Sequence, residues 1–280
     1  MINRNEYTKS LIGKIIIYVI LILGCIVTLI PFAWMISTSL KPLGEVFTMP
    51  PKLIPNDIQL ENYKGVATTI PIVRYFINSL IVTASITIGT LITTILAAFA
   101  FSRFNFWGKE IIFSILIGTM MVPNEVMLIP NYITIAKLGL INTYTGLTLP
   151  WIASVFSVFL LRQFFLTVPS SLYYAAKIDG CSDFKFLFKI MVPVCKPALI
   201  TIGLLRIVNS WNEFVWPLIV TNLPEMRTLP VGIMNFTTEA GGNYHLMMAA
   251  STIVILPVII VYLFTQKHII AGITKSGIKG

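Results

Sequence analysis

Residues 169–199 read PSSLYYAAKIDGCSDFKFLFKIMVPVCKPAL. This polar, charged island lies between long apolar segments and carries Lys177, Asp179, Asp183, Lys185, Lys189 and Lys196. From Leu172 to Met191 apolar residues recur at helical spacing, interrupted at Asp179-Gly180. A long amphipathic connection inside so apolar a chain is suited to touch something outside the bilayer. What it touches depends first on whether its flanks cross a membrane.

They have the composition to do so. The 280 residues are 56% hydrophobic and only 11% charged, against about 25% charged in ordinary soluble domains. A polytopic bundle of this length is one structural unit. The net charge of +9 reads through the bilayer rather than through nucleic acid, because Lys and Arg gather on the cytoplasmic side of spans. Cys25, Cys181 and Cys195 show neither metal spacing nor CxxC and read as reduced, gap-filling residues. Arg4, Lys9 and Lys14 precede an apolar run from Ile15 to Ile36. That run is too long for a secretory core and no A-x-A site follows, so it is expected to be a retained span.

With about 20 apolar residues needed per crossing, six spans are expected near 12–36, 77–101, 110–130, 146–166, 198–220 and 245–266. The fold class is therefore an all-α polytopic membrane protein. The third span is the least clean, since Pro123, Asn124 and Glu125 interrupt it. Six crossings put both termini on one side. That side then holds Arg4, Lys9, Lys14, Arg103, Lys109, Arg162, Lys177, Lys185, Lys189, Lys196, Lys267, Lys275 and Lys279. The other holds Lys41, Lys52, Lys64, Arg74, Lys137 and Arg227. This asymmetry places the termini, the loop 167–197 and the tail 267–280 in the cytoplasm. The connections 37–76 and 221–244 face outward. No fixed-period or inverted repeat stands out, which weakens a secondary-transporter reading.

The loop reads as two short helices. Pro169, Ser170 and Ser171 supply a start signal, with either serine a plausible cap. Leu172, Ala175, Ala176 and Ile178 make a narrow face with small residues at its centre. Asp179-Gly180 is a turn signal, with Gly180 free to adopt a left-handed conformation. A second helix is expected from Ser182 or Asp183, with Phe184, Leu187, Phe188 and Met191 as its apolar stripe. Pro193 is expected to stop it, and Pro197 suits the first turn of the next span. A connector lying on the headgroups fits this pattern equally well.

Here the residues carry a resemblance. Ala175-Ala176-x-x-Asp179-Gly180, followed by Phe184, Phe188, Pro193 and Pro197, resembles the EAA loop of binding-protein-dependent ABC importer permeases. Pro31-Phe32-x-Trp34, Ser39-x-Lys41, Glu61-Asn62-Tyr63 and Asn78-Ser79 resemble the carbohydrate-uptake subfamily, as do Leu138-Gly139-Leu140-x-Asn142-Thr143, Trp211-Asn212-Glu213-Phe214 and Thr228-Leu229-Pro230. The tail Gln266-Lys267, Ala271-Gly272 and Lys279-Gly280 is similar too. The motifs run in order over nearly the whole chain and match best the smaller, six-span partner of the maltose-type heterodimer. One departure is Tyr174, which stands where the family has Glu.

The resemblance implies a type I importer fold in a bacterial cytoplasmic membrane. Its partners would be a second permease subunit, two ATP-binding subunits and an extracellular solute-binding protein. The chain carries no GxxxxGK[ST], so ATP is expected on partner subunits and no cofactor on this one. The resemblance places the helix 169–180 in a cleft of the ATPase, making Tyr174, Ala175, Ala176, Asp179, Gly180, Phe184 and Pro193 coupling residues. It makes Gly272, Lys279 and Gly280 a second contact, and their tail suits an extended or irregular insertion. It also sends the outer loop 221–244, with Gly241-Gly242-Asn243, toward the solute-binding protein. An ion-coupled secondary transporter is the alternative; it would need midplane carboxylates, and only Glu213 and Glu125 qualify. No nucleophile–base pair or metal cluster points to a membrane enzyme, and His245 and His268 have no ligand-like neighbours.

Polar residues inside the expected spans complete the reading. Ser79, Thr83, Thr87, Thr90 and Thr94 share one helical face; interhelical packing explains it more simply than a solute path, although Thr83 and Thr87 remain path candidates. Arg206, Asn209 and Glu213 recur at helical spacing in the fifth span, and ionisable groups at such depth are costly. Arg206 and Glu213 are about 10 Å apart along a helix axis, too far to pair directly. Asn209, Trp211, Asn212 and Glu213 are candidates for solute contact, since a ring beside amides suits a sugar; an interface tryptophan within a packing network explains them as well. The transported solute is open to sugars, oligosaccharides and glycerol-3-phosphate.

Overall fold

The computed structural model describes residues 4–236 and 242–276, with side chains from 13 to 236 and 242 to 266. Among the described residues there is no strand. Contacts divide the chain into two compact units: residues up to Ile70 with Ile233–Ile255, and Pro71–Gly232 with residues from Leu256 onward.

In the first unit, α1 (Arg4–Ser39) contains the apolar stretch Gly13–Ser39. Its side chains from Ile15 to Leu23 are exposed on every face, as suits a helix solvated by hydrocarbon. The chain beyond it is tightly held. The last carbonyls of a helix lack internal donors. Asn62, on α2 (Glu61–Thr69), gives its side-chain amide to Ser39 O at 2.9 Å and Lys41 O at 2.8 Å. Ser39 Oγ bonds Tyr63 Oη at 2.8 Å. Lys41 is fully buried, donating to Lys52 O at 2.6 Å with its ammonium 4.3 Å from the Trp34 ring centre. The short motifs around Trp34, Lys41 and Asn62 are thus one knot of backbone satisfaction.

The second unit is organised on α3 (Ile72–Arg103), 32 residues long, which at 1.5 Å per residue is about 48 Å. It packs chiefly against α7 and α11 of the series α4 (Lys109–Thr119), α5 (Leu128–Lys137), α6 (Tyr144–Thr148), α7 (Val155–Thr167), α8 (Ser170–Ile178), α9 (Asp183–Phe186), α10 (Val192–Val194), α11 (Lys196–Trp211), α12 (Val215–Val220) and α13 (Leu229–Ile233). A π-helical turn, Leu187–Met191, joins α9 to α10. Last is α14 (Tyr244–Ser276).

Three helical stretches are long and apolar enough to cross a membrane: Gly13–Ser39, Ile72–Arg103 and Tyr244–Gln266. Three bent pairs raise the number to six if each pair is one span. These are Lys109–Thr119 with Asn124–Lys137 (90°), Tyr144–Trp151 with Val155–Thr167 (48°), and Asp183–Val194 with Lys196–Trp211 (80°). The single helices expected over 110–130, 146–166 and 198–220 are therefore each interrupted. Pro123 and Pro150 cannot extend a ladder of backbone donors. Ser154 starts α7 afresh, its Oγ accepting from Ser157 N at 3.3 Å. The third bend falls at Cys195, and the stretch 198–220 is interrupted separately between α11 and α12, where Glu213 Oε1 accepts from Trp216 N at 3.1 Å in the first turn of α12.

The main core of this unit joins α3, α7 and α11 to the charged loop through Phe99, Leu161, Phe165, Phe186, Met191 and Ile202. Phe186 is fully buried. Phe186→Ala is expected to destabilise the protein by about 3–5 kcal/mol, the usual range for deleting a buried aromatic ring. Thermal unfolding of the purified protein in lipid nanodiscs, followed by tryptophan fluorescence, checks it against the exposed-site control Phe188→Ala, which should leave the transition nearly unmoved.

Candidate functional site

The charged loop folds into an elbow. Helix α8 closes with a Schellman arrangement: Cys181 N donates to Ala176 O at 2.8 Å and Gly180 N to Lys177 O at 3.0 Å. Gly180 holds φ +73°, which a residue with a Cβ adopts only at a cost. Ser182 caps α9, accepting from Lys185 N at 3.4 Å. The start of α8 differs from expectation: its N-cap is Pro169, and neither Ser170 nor Ser171 caps it. Pro193 does not end the second helix either. The preceding π-helical turn rearranges the donor ladder, and helical structure runs on to Val194.

The expected apolar stripe of the second helix is split. Leu187 and Met191 are buried with Phe186, whereas Phe184 and Phe188 are exposed. In α8, Tyr173 and Ala176 face the core, with the Tyr173 ring edge-on to Phe186 at 5.0 Å. Tyr174, Ala175 and Ile178 face away, Ile178 being 87% exposed. Asp179 and Gly180, at the bend, are exposed as well. The two arms are tied by Asp183, whose Oδ1 accepts from Tyr173 Oη at 2.6 Å and pairs with Lys177 Nζ at 2.8 Å. Burial and the neighbouring carboxylate push the Tyr173 phenol up to about 12.

Two arginines tie α3 and α7 together beside the elbow. Arg103, the last residue of α3, donates through Nη2 to Phe165 O (2.8 Å) and Val168 O (2.7 Å). Its Nη1 reaches Ser170 Oγ at 3.3 Å, and Met191 Sδ lies 3.8 Å from Nη2. Arg162 of α7 returns the favour: Nε donates to Phe101 O at 3.1 Å, the guanidinium covers the Phe113 ring at 4.1 Å, and Nη2 is 3.5 Å from Glu110. Cations at helix C-termini also complement the helix dipole.

Two adjoining cavities, about 370 and 880 Å³, share the wall residues Asn124, Trp151, Arg206 and Asn209. Asn212 and Glu213 line the smaller, Glu125 the larger. Arg206 Nη2 donates to Trp151 O at 2.6 Å; its Nε is buried without a protein acceptor, and none of the ion pairs among the described residues includes it. Asn209, Asn212 and Glu213 thus come together. Trp211 does not join them: it is buried, edge-on to Phe76 at 5.6 Å. Thr83 and Thr87 are also buried and line neither cavity; Val82 and Ile86 of the same helix line the smaller one. Among the described residues no cluster of His, Cys, Asp and Glu could hold a metal.

At the other end of α3, Asn78 gives its amide to Glu225 O and Arg227 O, both at 2.8 Å, and accepts from Tyr144 Oη at 2.7 Å. Ser79 Oγ accepts from Leu229 N at 2.9 Å. Asn142, held at φ 58°, accepts from Asn222 N and Leu223 N. The segment 221–232 is therefore built of short helical turns pinned to α3, not a loose connector. Gly241, and of the tail Lys279 and Gly280, lie outside the described residues. Gly272 falls within α14, which stays helical to Ser276 where an extended tail was expected.

The pattern for binding-protein-dependent transport system inner membrane components matches residues 89–275, from the middle of α3 across elbow and cavities. The chain belongs to this family. The arabinooligosaccharides transport system permease protein AraQ of Bacillus subtilis is 38% identical over 255 residues, covering 90% of this chain and 91% of that one. The sn-glycerol-3-phosphate transport system permease protein UgpE of Brucella suis is 32% identical over 274 residues, covering 95% and 97%. A crystal structure of a bacterial ABC transporter involved in import of the acidic polysaccharide alginate superposes with TM-score 0.82 at 25% identity, covering 95% of this chain and 98% of that one. A second alginate transporter structure, in complex with an alginate pentasaccharide-bound periplasmic protein, shares the fold at TM-score 0.66 and 14% identity. The protein is thus a permease component of an ABC importer, all-helical and with the type I fold.

Within this permease, sequence reasoning missed Arg103, Arg162, Tyr173 and Asp183. Arg103 and Arg162 counted only as inner charges; for Arg103 its position at the end of a helix was the available signal. The raised Tyr173 phenol yields a pH dependence. Between pH 10 and about 12 the unfolded phenol is ionised and the folded one is not, so the folded state binds more protons and loses stability as pH rises through that window. A phenolate absorbance titration of wild type minus Tyr173→Phe is expected to show one group ionising near 12.

Proposed function

We propose that this chain is one of two permease subunits of an ATP-driven importer for a sugar, an oligosaccharide or a related solute such as glycerol-3-phosphate. Its partners are a second permease, two ATP-binding subunits and an extracellular solute-binding protein. The chain crosses the bacterial cytoplasmic membrane six times, each bent pair counting as one crossing, with both termini inside. It carries no ATP site of its own. The relatives that transport arabinooligosaccharides and sn-glycerol-3-phosphate support the solute range. The cavity walls support it too: a guanidinium, amides and a carboxylate beside Trp151 can bond hydroxyls while a ring covers an apolar sugar face.

The observation that carries the mechanism is the two-faced elbow. Its inner face is packed into the core and fastened by Arg103, while Tyr174, Ala175, Ile178 and Phe184 stand free. Closure of the ATP-binding subunits would push on that outer face, and the push would be conducted into α3 and α7. Coupling requires that the elbow's contacts differ between the two states of the transporter. Tyr174 presents a ring on that outer face, so the cleft that receives it is expected to be apolar at that point.

Proline at position 180 cannot adopt φ +73° and removes the donor to Lys177 O. Gly180→Pro is expected to leave membrane insertion intact and to abolish solute-stimulated ATP hydrolysis in the reconstituted complex. Hydrolysis stimulated as in wild type would refute docking through the elbow.

A further inference from the structure

Arg206 lies ten positions beyond Lys196 on α11, about 15 Å along the axis at 1.5 Å per residue. A hydrocarbon core is about 30 Å thick, so in a membrane-crossing α11 this guanidinium sits near mid-depth. A charge there is costly and is kept for a partner or a function. None of the ion pairs among the described residues includes it. Nη2 donates to Trp151 O at 2.6 Å, and Nε is buried without a protein acceptor. The neighbouring carboxylates do not supply the missing charge. Glu213 lines the smaller cavity but spends Oε1 on Trp216 N at 3.1 Å, and Glu125 lines only the larger one.

The wall around Arg206 is also short of acceptors. Trp151 Nε1 and Ser210 Oγ are buried without a hydrogen-bond partner, and both residues line the smaller cavity beside Arg206. Trp216 on the same wall shows the ordinary outcome, its Nε1 donating to Gly146 O at 3.2 Å. Three polar side-chain atoms without a partner around one cavity call for an explanation. An indole and a guanidinium can only donate. What they lack is a group that only accepts.

We infer that the smaller cavity takes an anionic group of the solute, a carboxylate or a phosphate ester, and that Arg206 is the residue that selects it. This rests on the reading of the chain as an importer subunit and narrows its solute to acidic sugars and to sugar or polyol phosphates. A hydroxyl brings a donor with its acceptors and leaves the guanidinium charge uncompensated. A carboxylate or a phosphate ester accepts through several oxygens, and its charge cancels that of Arg206. The planar fork of arginine fits either group with paired bonds, which a lysine ammonium cannot reproduce. The cavity, at about 370 Å³, has the size of a small-molecule site. A site built to bond one group rejects the analogue that lacks it, because its own buried donors are then left unpaired.

The test uses the whole transporter, with its second permease, ATP-binding subunits and solute-binding protein, in proteoliposomes supplied with ATP. Uptake is measured for two pairs of probes: digalacturonate with its uncharged dimethyl ester, and sn-glycerol-3-phosphate with glycerol. At least one anion is expected to enter faster than its neutral counterpart, and which one does so separates a carboxylate from a phosphate. In Arg206→Gln the ratio of anionic to neutral uptake is expected to fall about tenfold or more, the loss that goes with a hydrogen bond to a charged group. Arg206→Lys should restore part of it. A structural role for Arg206, through its bond to Trp151 O, lowers both members of a pair alike and leaves the ratio unmoved. Ser210→Ala removes only an unbonded hydroxyl and should lower the ratio in the same direction, so it carries the test should Arg206→Gln not assemble. An unmoved ratio in both variants overturns the inference. So does a wild-type transporter that takes the neutral member of each pair at least as fast as the anion, or that hydrolyses ATP and takes none of the four. Uptake that continues without ATP contradicts the importer reading instead.

Discussion

Two arginines facing in opposite directions hold the elbow end of α3 and α7 together. Helices that end beside one another leave carbonyls without donors, and at the α3–α7 corner each helix satisfies the other. Arg103 leaves α3 to serve α7, and Arg162 leaves α7 to serve α3. Leaving such groups unmet in a buried setting costs about 1–3 kcal/mol each. The exchange therefore fixes where the chain leaves α7, and so where α8 begins. The elbow then needs little more to be defined: a Schellman turn at Gly180, a serine cap at Ser182 and the shared carboxylate of Asp183.

The same economy recurs elsewhere in the second unit. Asn78 and Asn142 immobilise the segment 221–232 by bonding its backbone, and Glu213 accepts from Trp216 N in the first turn of α12. Breaks in the bent helix pairs place irregular backbone at the cavity walls, as at Asn124 and Trp151. Irregular backbone at membrane depth is tolerated where it lines a cavity or is buried in protein. Arg206 fits that pattern, donating to Trp151 O and lining both cavities.

Much of this was legible in the sequence. Apolar runs announced the membrane class, and short ordered motifs announced the family. Gly180 and Ser182 announced a turn and a cap, because left-handed backbone and N-terminal donors are local demands that single residues answer. What escaped was set by tertiary contact. The stripe Phe184, Leu187, Phe188 and Met191 has correct helical spacing, yet only Leu187 and Met191 turn inward, because a π-helical turn rotates the register. Trp211 sits beside Asn212 in sequence but packs on Phe76 and does not line the cavity. The helices over 146–166 and 198–220 are broken where composition shows only apolar residues, because Ser154 and Glu213 restart helices.

The account stands on an intracellular elbow gripped by an ATP-binding subunit. Ala175 lies on the exposed face of α8 and is small enough to replace. In a transporter otherwise free of cysteine, Ala175→Cys is to be treated with a short bifunctional crosslinker and probed from outside intact cells with an impermeant thiol reagent. The account predicts a crosslinked product containing the ATP-binding subunit, and protection from the external reagent. Capture of no such subunit, or labelling from outside, would contradict it.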